Sequence, residues 1–199
     1  MIVNIGGGRT EAAVISLYGI VASESVRIAG KQIDEAIQAY VRRKYKLSIG
    51  IRTAEEVKIA IGSALPDISP MQQAVRGRDT VSGLPKTITM SSNEIATAIE
   101  EPLSAIAQTV KNALSRTPPE LAADILDRGI VLTGGGALLR NIEKLLTQAT
   151  EVPCYITDSP LECAAIGAEK ALDDIDIIER SLPTEEEMLI DLFPQARMD

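Results

Sequence analysis

The chain has no histidine and no tryptophan, one phenylalanine, four tyrosines and two cysteines in 199 residues. Without histidine there is no Ser-His or Cys-His nucleophile pair, no zinc-protease helix and no imidazole metal site. Aromatics make up only 3% of the chain, which argues against a stacking platform for single-stranded nucleic acid. Cys154 and Cys163 cannot build a disulfide framework, and their spacing matches no zinc or redox motif. Both read as small buried hydrophobes in a reducing compartment. The longest uncharged stretch, residues 12–23, falls short of the roughly 18 apolar residues that cross a bilayer. No basic-then-apolar signal segment opens the chain. The expected location is cytoplasmic.

What is present fits an ordinary globular α/β protein, with 45% hydrophobic and 24% charged residues. The net charge of −8 is unevenly spread. From Asp173 onward nine acids face Arg180 and Arg197, whereas residues 1–172 carry nineteen acids and eighteen bases. A nearly neutral body excludes the electrostatic footprint of a nucleic-acid binder. The acidity belongs to the tail, which reads as a solvated end.

Short apolar runs at residues 2–5, 12–17 and 20–28, separated by Gly6, Gly7 and Gly8 and then by Tyr18 and Gly19, predict three strands in an antiparallel meander. Ile33, Ala36, Ile37, Tyr40 and Val41 recur at helical spacing and predict a helix over residues 30–45. Arg42, Arg43, Lys44 and Lys46 sit at its end, where positive charge suits the helix dipole. Thr53 to Glu56 reads as a capping box opening a second helix. Residues 71–75 and 87–90 are short strand candidates. Ser91 to Glu94 opens a long helix, with a kink or a junction of two helices expected at Pro102. Thr117 to Glu120 starts another. Strands at residues 130–133 and 154–157 then alternate with helices at 137–148 and 160–172, completing a βββαβαβα order interrupted at about 46–91.

Two glycine triplets each follow a strand. Consecutive glycines leave backbone N–H groups free to converge on an anion. Gly6, Gly7 and Gly8, followed by Arg9 and Thr10, suit a nest for terminal phosphates with the Thr10 hydroxyl in reach. Gly134, Gly135 and Gly136 precede a predicted helix, whose N-terminus favours negative charge. Taken alone, the first triplet is more often only a hairpin turn, and the second often just permits close strand–helix packing. Neither is a Walker loop, and neither has dinucleotide-fold spacing. Their pairing on one sheet is what points to a single nucleotide held at two ends.

These residues carry a family resemblance. Ile5, Gly6, Gly7, Gly8, Arg9, Thr10 and Glu11 resemble the second phosphate loop of actin-like ATPases. The run from Val131 through Gly134, Gly135, Gly136, Ala137 and Leu138 to Asn141 resembles their adenosine motif. Arg52 to Lys58, Arg76 to Asp79 and Pro118 to Ala122 are similar to the bacterial MreB/Mbl branch. The resemblance runs from about Ile2 to Leu172. It implies the second half of an actin fold: a ribonuclease-H-like mixed sheet with helices over residues 1–45 and 92–172, a small inserted α+β subdomain over 46–91, and the acidic tail over 173–199.

By similarity, Gly7, Gly8 and Arg9, with Gly6 and Thr10 beside them, fall on phosphate contacts. Glu55, Glu56, Val57 and Lys58 fall on the ribose and base edge, though Glu55 and Glu56 alone would read as a helix cap and a solvated face. Gly134, Gly135, Gly136, Ala137 and Leu138 form the adenosine corner. The implied cofactor is ATP with Mg2+, expected to bind weakly here. The family's first phosphate loop, catalytic glutamate and membrane contact all precede the position of Met1, so the resemblance implies that they are absent from this chain. No catalytic residue is assigned and the metal ligands are left open. Asn4 stands where the family usually has Asp, and Arg9 and Lys31 stand where Thr and Asp are usual. The neutral amide of Asn4 cannot supply the charge that organises magnesium-bound water.

The implied function is that of a cell-shape cytoskeletal protein. Its ATP-bound subunits assemble with themselves or a full-length homologue into filaments beneath the inner membrane, with cell-shape and wall-synthesis proteins as partners. The alternatives are a non-catalytic module that modulates filaments, or an enzyme on the same core. A nuclease is disfavoured by the lack of clustered carboxylates, and a sugar kinase by the lack of a sugar-side acid.

Overall fold

A computed structural model describes residues 1–17, 19–173 and 175. Tyr18 of the second expected turn, and the acidic tail apart from Asp173 and Ile175, lie outside the described residues. The expected meander forms from β1 (Ile2–Ile5), β2 (Thr10–Ser16) and β3 (Gly19–Val26). With β7 (Ile130–Thr133) and β8 (Cys154–Ile156) they make a five-stranded sheet in the order β3-β2-β1-β7-β8. β1 pairs antiparallel with β2 but parallel with β7, and β7 pairs parallel with β8. The α/β ribonuclease-H-like order is therefore the observed one.

Alternation along the strands decides which face is covered. Ala12, Val14, Val3, Ile5, Ile130 and Leu132 are buried. The apolar stripe of α4 (Glu100–Ser115), including Leu103, Ile106 and Val110, belongs to the same core cluster and packs against β2 and β3. The other face carries a cross-strand row in which Tyr155 adjoins Val131, Val131 adjoins Ile2, and Ile2 adjoins Ala13. This row is bare: Tyr155 is 57% exposed, Val131 39% and Ile2 41%.

α1 (Gly30–Tyr45) buries Ile33, Asp34, Ile37 and Val41 and ends on Lys46 in the left-handed conformation. It leads into β4 (Leu47–Ser48), α2 (Ile51–Ile61), β5 (Gln72–Asp79) and β6 (Pro85–Ser91). The last two strands and β4 form a separate antiparallel sheet. This hairpin is longer than the two short strand candidates. Arg76 and Arg78 alternate outward around Gly77, next to buried Val75, so charge masks the strand in the sequence. Asp79 closes its turn by accepting the Val81 and Ser82 amides at 2.9 and 3.0 Å.

Three local expectations are corrected. α2 begins at Ile51 after Gly50, and its first residue has no side-chain cap. Thr53 to Glu56 therefore lies inside the helix, because Gly50 in extended backbone already ends the preceding segment. The helix opened at Ser91 is two helices, α3 (Ser92–Ala98) and α4, which meet at Ile99 rather than at Pro102. Pro102 occupies the first turn of α4, where a missing N–H costs nothing. The expected helix from residue 137 is a 3-10 turn over Gly135–Leu138, followed by α6 (Ile142–Thr150) after Asn141 at φ 61°.

α5 (Pro119–Arg128) starts with proline in its first turn, as its start signal implies. α7 (Cys163–Asp173) has no buried residue. Cys154 is buried, but Cys163 is not the buried hydrophobe expected. Its Sγ lies 3.0 Å from Thr157 Oγ1 and donates to the Ser159 carbonyl at 3.1 Å.

α3 carries a reciprocal capping box: the Glu94 amide donates to Ser91 Oγ, and the Ser91 amide donates to Glu94 Oε2. Glu94 also accepts from Lys44 and from the Tyr45 hydroxyl, tying α3 to the end of α1. Burial works against ionisation of Glu94, but bonds from Lys44, Tyr45 and the Ser91 amide outweigh it and bring the carboxyl from 4.5 to about 2. A depressed acid stabilises the fold above its unfolded pKa and loses that contribution as pH falls through the folded one. Glu94→Gln is expected to cost about 1–2 kcal/mol at pH 7. Urea unfolding of both proteins should show this gap closing between about pH 4.5 and about pH 2. A gap independent of pH would overturn the assignment.

Candidate functional site

The two glycine triplets reach the same edge of the sheet because β1 and β7 run parallel. Asn4 is in register with Thr133, so the chain leaves both strands side by side. Together with the first turn of α1 and one face of α2, they enclose a cavity of about 750 Å3. This lies within the range of small-molecule and cofactor sites, roughly 300–1,000 Å3.

Of the expected residues, Gly6, Gly7, Glu55, Lys58, Gly135, Gly136 and Leu138 line the cavity. Helical geometry explains the division within α2. At about 100° per residue, four consecutive side chains cannot share one side. Ile51, Glu55, Lys58, Ile59 and Gly62 form the face toward the cavity. Val57 is buried in the core, and Glu56 is exposed and pairs with Arg52 at 3.4 Å. Glu56 and Val57 therefore do not line the cavity.

The first glycine loop differs in detail from a nest of three free amides. The Gly6 amide donates to the Arg9 carbonyl at 3.0 Å, closing the turn. The Gly6 and Gly7 carbonyls accept from the Gly30 and Lys31 amides at 3.1 and 2.7 Å, which fastens the loop to the start of α1. Gly7 and Gly8 are exposed, and a Cβ at either would meet nothing within 4 Å. Packing gives no reason for glycine there, whereas close approach of a ligand to backbone does. Thr10 is fully buried and its hydroxyl donates to the Ile28 carbonyl at 2.8 Å, so it does not reach the cavity. Arg9 is exposed beside Glu11 at 3.3 Å, and neither it nor Gly8 lines the cavity.

The second corner is built by close contact. Gly134 has φ +84°, and a Cβ there would lie 2.4 Å from the Ile5 carbonyl oxygen and 2.6 Å from Asn4 Oδ1. At Gly136 a Cβ would lie 2.2 Å from Ile5 Cγ2. These two glycines let the corner sit directly on the end of β1. Gly134 donates to the Pro160 carbonyl at 2.8 Å, and Ala137 is fully buried, so both support the corner from behind. Gly135 and Gly136 open the 3-10 turn, whose first amides have no partner within the turn. The anion-favouring helix start expected here is therefore a single 3-10 turn.

Sequence reasoning missed the contribution of α1. Asp34 faces the cavity and pairs with Lys58 Nζ at 2.7 Å, with the two side chains 6% and 16% exposed. Lys58 also donates to the Gly30 carbonyl at 3.3 Å. Burial pushes the Asp34 carboxyl above its ordinary range, despite the hydrogen bond and charge of Lys58. The available signal was Asp34 beside Ile33 within an otherwise apolar stripe. Gly30, Lys31, Ile33, Glu35, Leu139, Arg140 and Leu161, to which motif reading gave no role, also line the cavity. Among the described residues no group of three or more Cys, Asp or Glu is placed to hold a metal ion.

Removing Lys58 leaves a buried carboxylate without its counter-charge. Lys58→Met is expected to destabilise the fold by about 3 kcal/mol at pH 8. Because the folded Asp34 pKa is raised, acidification neutralises the carboxyl and the penalty shrinks. Urea midpoints at pH 5 and pH 8 check this, and an equal loss at both would refute it.

Residues 1–180 match the family described as MreB/Mbl protein. The chain is 48% identical over 176 residues to the cell shape-determining protein Mbl of Bacillus subtilis, covering 88% of this chain and 53% of that protein. It is 52% identical over 186 residues to the cell shape-determining protein MreB of Escherichia coli K12, covering 94% and 54%. Among solved structures, MreB5 of Spiroplasma citri bound to AMPPNP superimposes with a TM-score of 0.84 at 41% identity, covering 91% of this chain and 55% of that one. The ADP-bound form gives the same score and identity over 87% and 53%. The chain thus spans about half the length of the relatives it matches. On the family match and on identities near one half, the chain belongs to the MreB/Mbl family.

Proposed function

We propose that the cavity takes an adenine nucleotide and that the chain serves the cell-shape cytoskeleton as an actin-like subunit. The observation that carries this is convergence. The Gly6–Gly7 loop, the Glu55–Lys58 face of α2 and the Gly135–Gly136 corner, read from the sequence as phosphate, ribose and adenosine elements, line one cavity. Support comes from MreB5, whose structures are described as bound to ADP and to AMPPNP. In this reading Gly7 and the neighbouring exposed Gly8 face the phosphates, and the corner of Gly135, Gly136 and Leu138 receives the adenosine. Mg2+ keeps several waters and needs few protein carboxylates, so any metal accompanying the nucleotide would be held mainly by phosphate oxygens and water rather than by this lining. Neither the filament-modulating module nor the sugar kinase has an observation in its favour.

Nucleotide affinity of this chain by itself is expected to be weak. Actin-like proteins clamp the nucleotide between two lobes, and losing even about 3 kcal/mol of contact weakens binding roughly a hundredfold. Calorimetry with ADP and AMPPNP should give saturable binding well above micromolar. Submicromolar affinity would contradict the one-sided site, and no binding at millimolar nucleotide would overturn the nucleotide reading.

The same reading makes the protein a filament subunit, peripheral to the inner membrane and working with wall-synthesis proteins. No helix among the described residues is long and apolar enough to cross a membrane. The bare row of Tyr155, Val131 and Ile2 favours association, since contiguous exposed apolar surface marks interaction sites. The chain alone is expected to self-associate without forming ordered filaments, and to enter or poison filaments of a complete family member. Pelleting and negative-stain microscopy with ATP, with and without such a member, decide this. Long regular filaments from this chain alone would refute it.

A further inference from the structure

The far end of α2 is held by one side chain, at the end of the second glycine motif, to which the motif gave no role of its own. Arg140 leaves the glycine corner and reaches the C-terminal end of α2, where the last carbonyls of a helix have no partner within it. Its Nε donates to the Gly62 carbonyl at 3.0 Å and its Nη2 to the Ile61 carbonyl at 2.9 Å. The same Nη2 meets Asp67 Oδ2 at 3.1 Å. The backbone joins there too, with the Ala64 amide donating to the Arg140 carbonyl at 2.7 Å.

Asp67 is itself fixed from a third side. Its carboxylate accepts from Ser92 Oγ at 2.9 Å and from Asn141 Nδ2 at 3.3 Å. Its main chain exchanges bonds of 2.7 and 3.1 Å with the Asn93 amide side chain. The start of α3, the end of α2 and the glycine corner therefore meet on a single carboxylate–guanidinium pair.

We propose that Arg140, oriented by Asp67, is a positioning residue of the nucleotide cavity: it sets the distance between the α2 face that carries Glu55 and Lys58 and the corner that carries Gly135 and Gly136. The inference rests on the adenine-nucleotide reading and adds to it the element that holds two of the cavity walls in register. A planar guanidinium fits this task because its donors reach two carbonyls and a carboxylate together, whereas an ammonium on a flexible stem offers no fixed fork. Asp67 does not line the cavity, so an effect of altering it on ligand binding reaches the walls through its partners, of which Arg140 is the one that itself lines the cavity. The Gly6–Gly7 loop is fastened to α1 by its own bonds and takes no part in this linkage.

The test uses the full chain and titrates adenosine, ADP and tripolyphosphate by calorimetry into wild type, Asp67→Asn, Arg140→Lys and the double variant. Asp79→Asn serves as a control that disrupts a polar turn remote from the cavity. Asp67→Asn and Arg140→Lys should each weaken adenosine and ADP by about the same factor, fivefold or more, and leave tripolyphosphate unchanged. The double variant should be no weaker than Arg140→Lys alone, and Asp79→Asn should bind as wild type does. Hydrogen exchange at the end of α2 should quicken in both latch variants. A merely structural role would lower the melting temperature and leave the ratio of adenosine to tripolyphosphate affinity untouched, which overturns the proposal. So does wild-type affinity for adenosine in Asp67→Asn. Absence of any adenosine or ADP binding to wild type overturns the nucleotide reading itself, and the positioning role with it.

Discussion

The structure depends on β1 being paired along both edges, antiparallel to β2 and parallel to β7. Parallel pairing sends the ends of β1 and β7 to the same edge of the sheet, where open α/β sheets form their ligand crevices. A hairpin connection leaves β1 and a helix-ward connection leaves β7, so two glycine turns of different origin arrive side by side. A Cβ at Gly134 or Gly136 would collide with Ile5, which shows how little room separates them. Val3 and Ile5, both essentially inaccessible, fix β1 in the core and with it the position of both turns. A shift of one residue in this register would turn Ile5 toward solvent and part the two halves of the site.

The third wall comes from outside the sheet, and two ionic contacts bring it in. Lys58 with Asp34 ties the middle of α2 to α1, and Arg140 with Asp67 ties its end to the glycine corner. Between them the apolar side of α2, with Ala54, Val57 and Ile61, joins the same core cluster as α1 and the main sheet. The buried pair is a weak source of net stability, because desolvation offsets most of its attraction. Its value is geometric, since a misplaced α2 would strand a carboxylate in the interior.

Most of the fold was legible in the sequence because burial follows period. Strands β1, β7 and β8 and the apolar stripes of α1 and α4 all announce themselves by spacing. Failures came where a local signal competed with tertiary context. The Thr53 capping box was overridden by Gly50, and Pro102 proved harmless in a first helical turn. Arg76 and Arg78 hid a long strand because only its other face is buried. At the site, the two triplets were legible as a pair, and the resemblance supplied α2. What a linear motif cannot display is which of four neighbours on a helix faces inward, and this is why Glu56 and Val57 were placed with Glu55 and Lys58. Thr10 lies away from the cavity for a related reason: β2 alternation turns it into the core, where its hydroxyl donates to the Ile28 carbonyl. Asp34 left only the hint of an acid within an apolar stripe, and the roles of Asp34 and Arg140 could not be read because their partners lie far away in sequence.

Charge in the cavity is nearly balanced, and this bears on how it would recognise an anionic ligand. Lys31, Lys58 and Arg140 share its lining with Asp34, Glu35 and Glu55. Two of these cations are already engaged, Lys58 by Asp34 and Arg140 by Asp67. Long-range attraction of a polyphosphate is therefore small, in keeping with a body whose charges nearly cancel. In the proposed reading, discrimination falls to direction. Exposed loop glycines without packing neighbours offer backbone at one end, and Glu55 on α2 offers an acceptor for hydroxyl groups at the other. Lys31 starts from a backbone bonded to the Gly7 carbonyl, so its charge belongs to the glycine-loop end. A ligand with a phosphate chain at one end and sugar hydroxyls at the other matches that polarity in one orientation only, and the fixed positions of β1 and α2 enforce it.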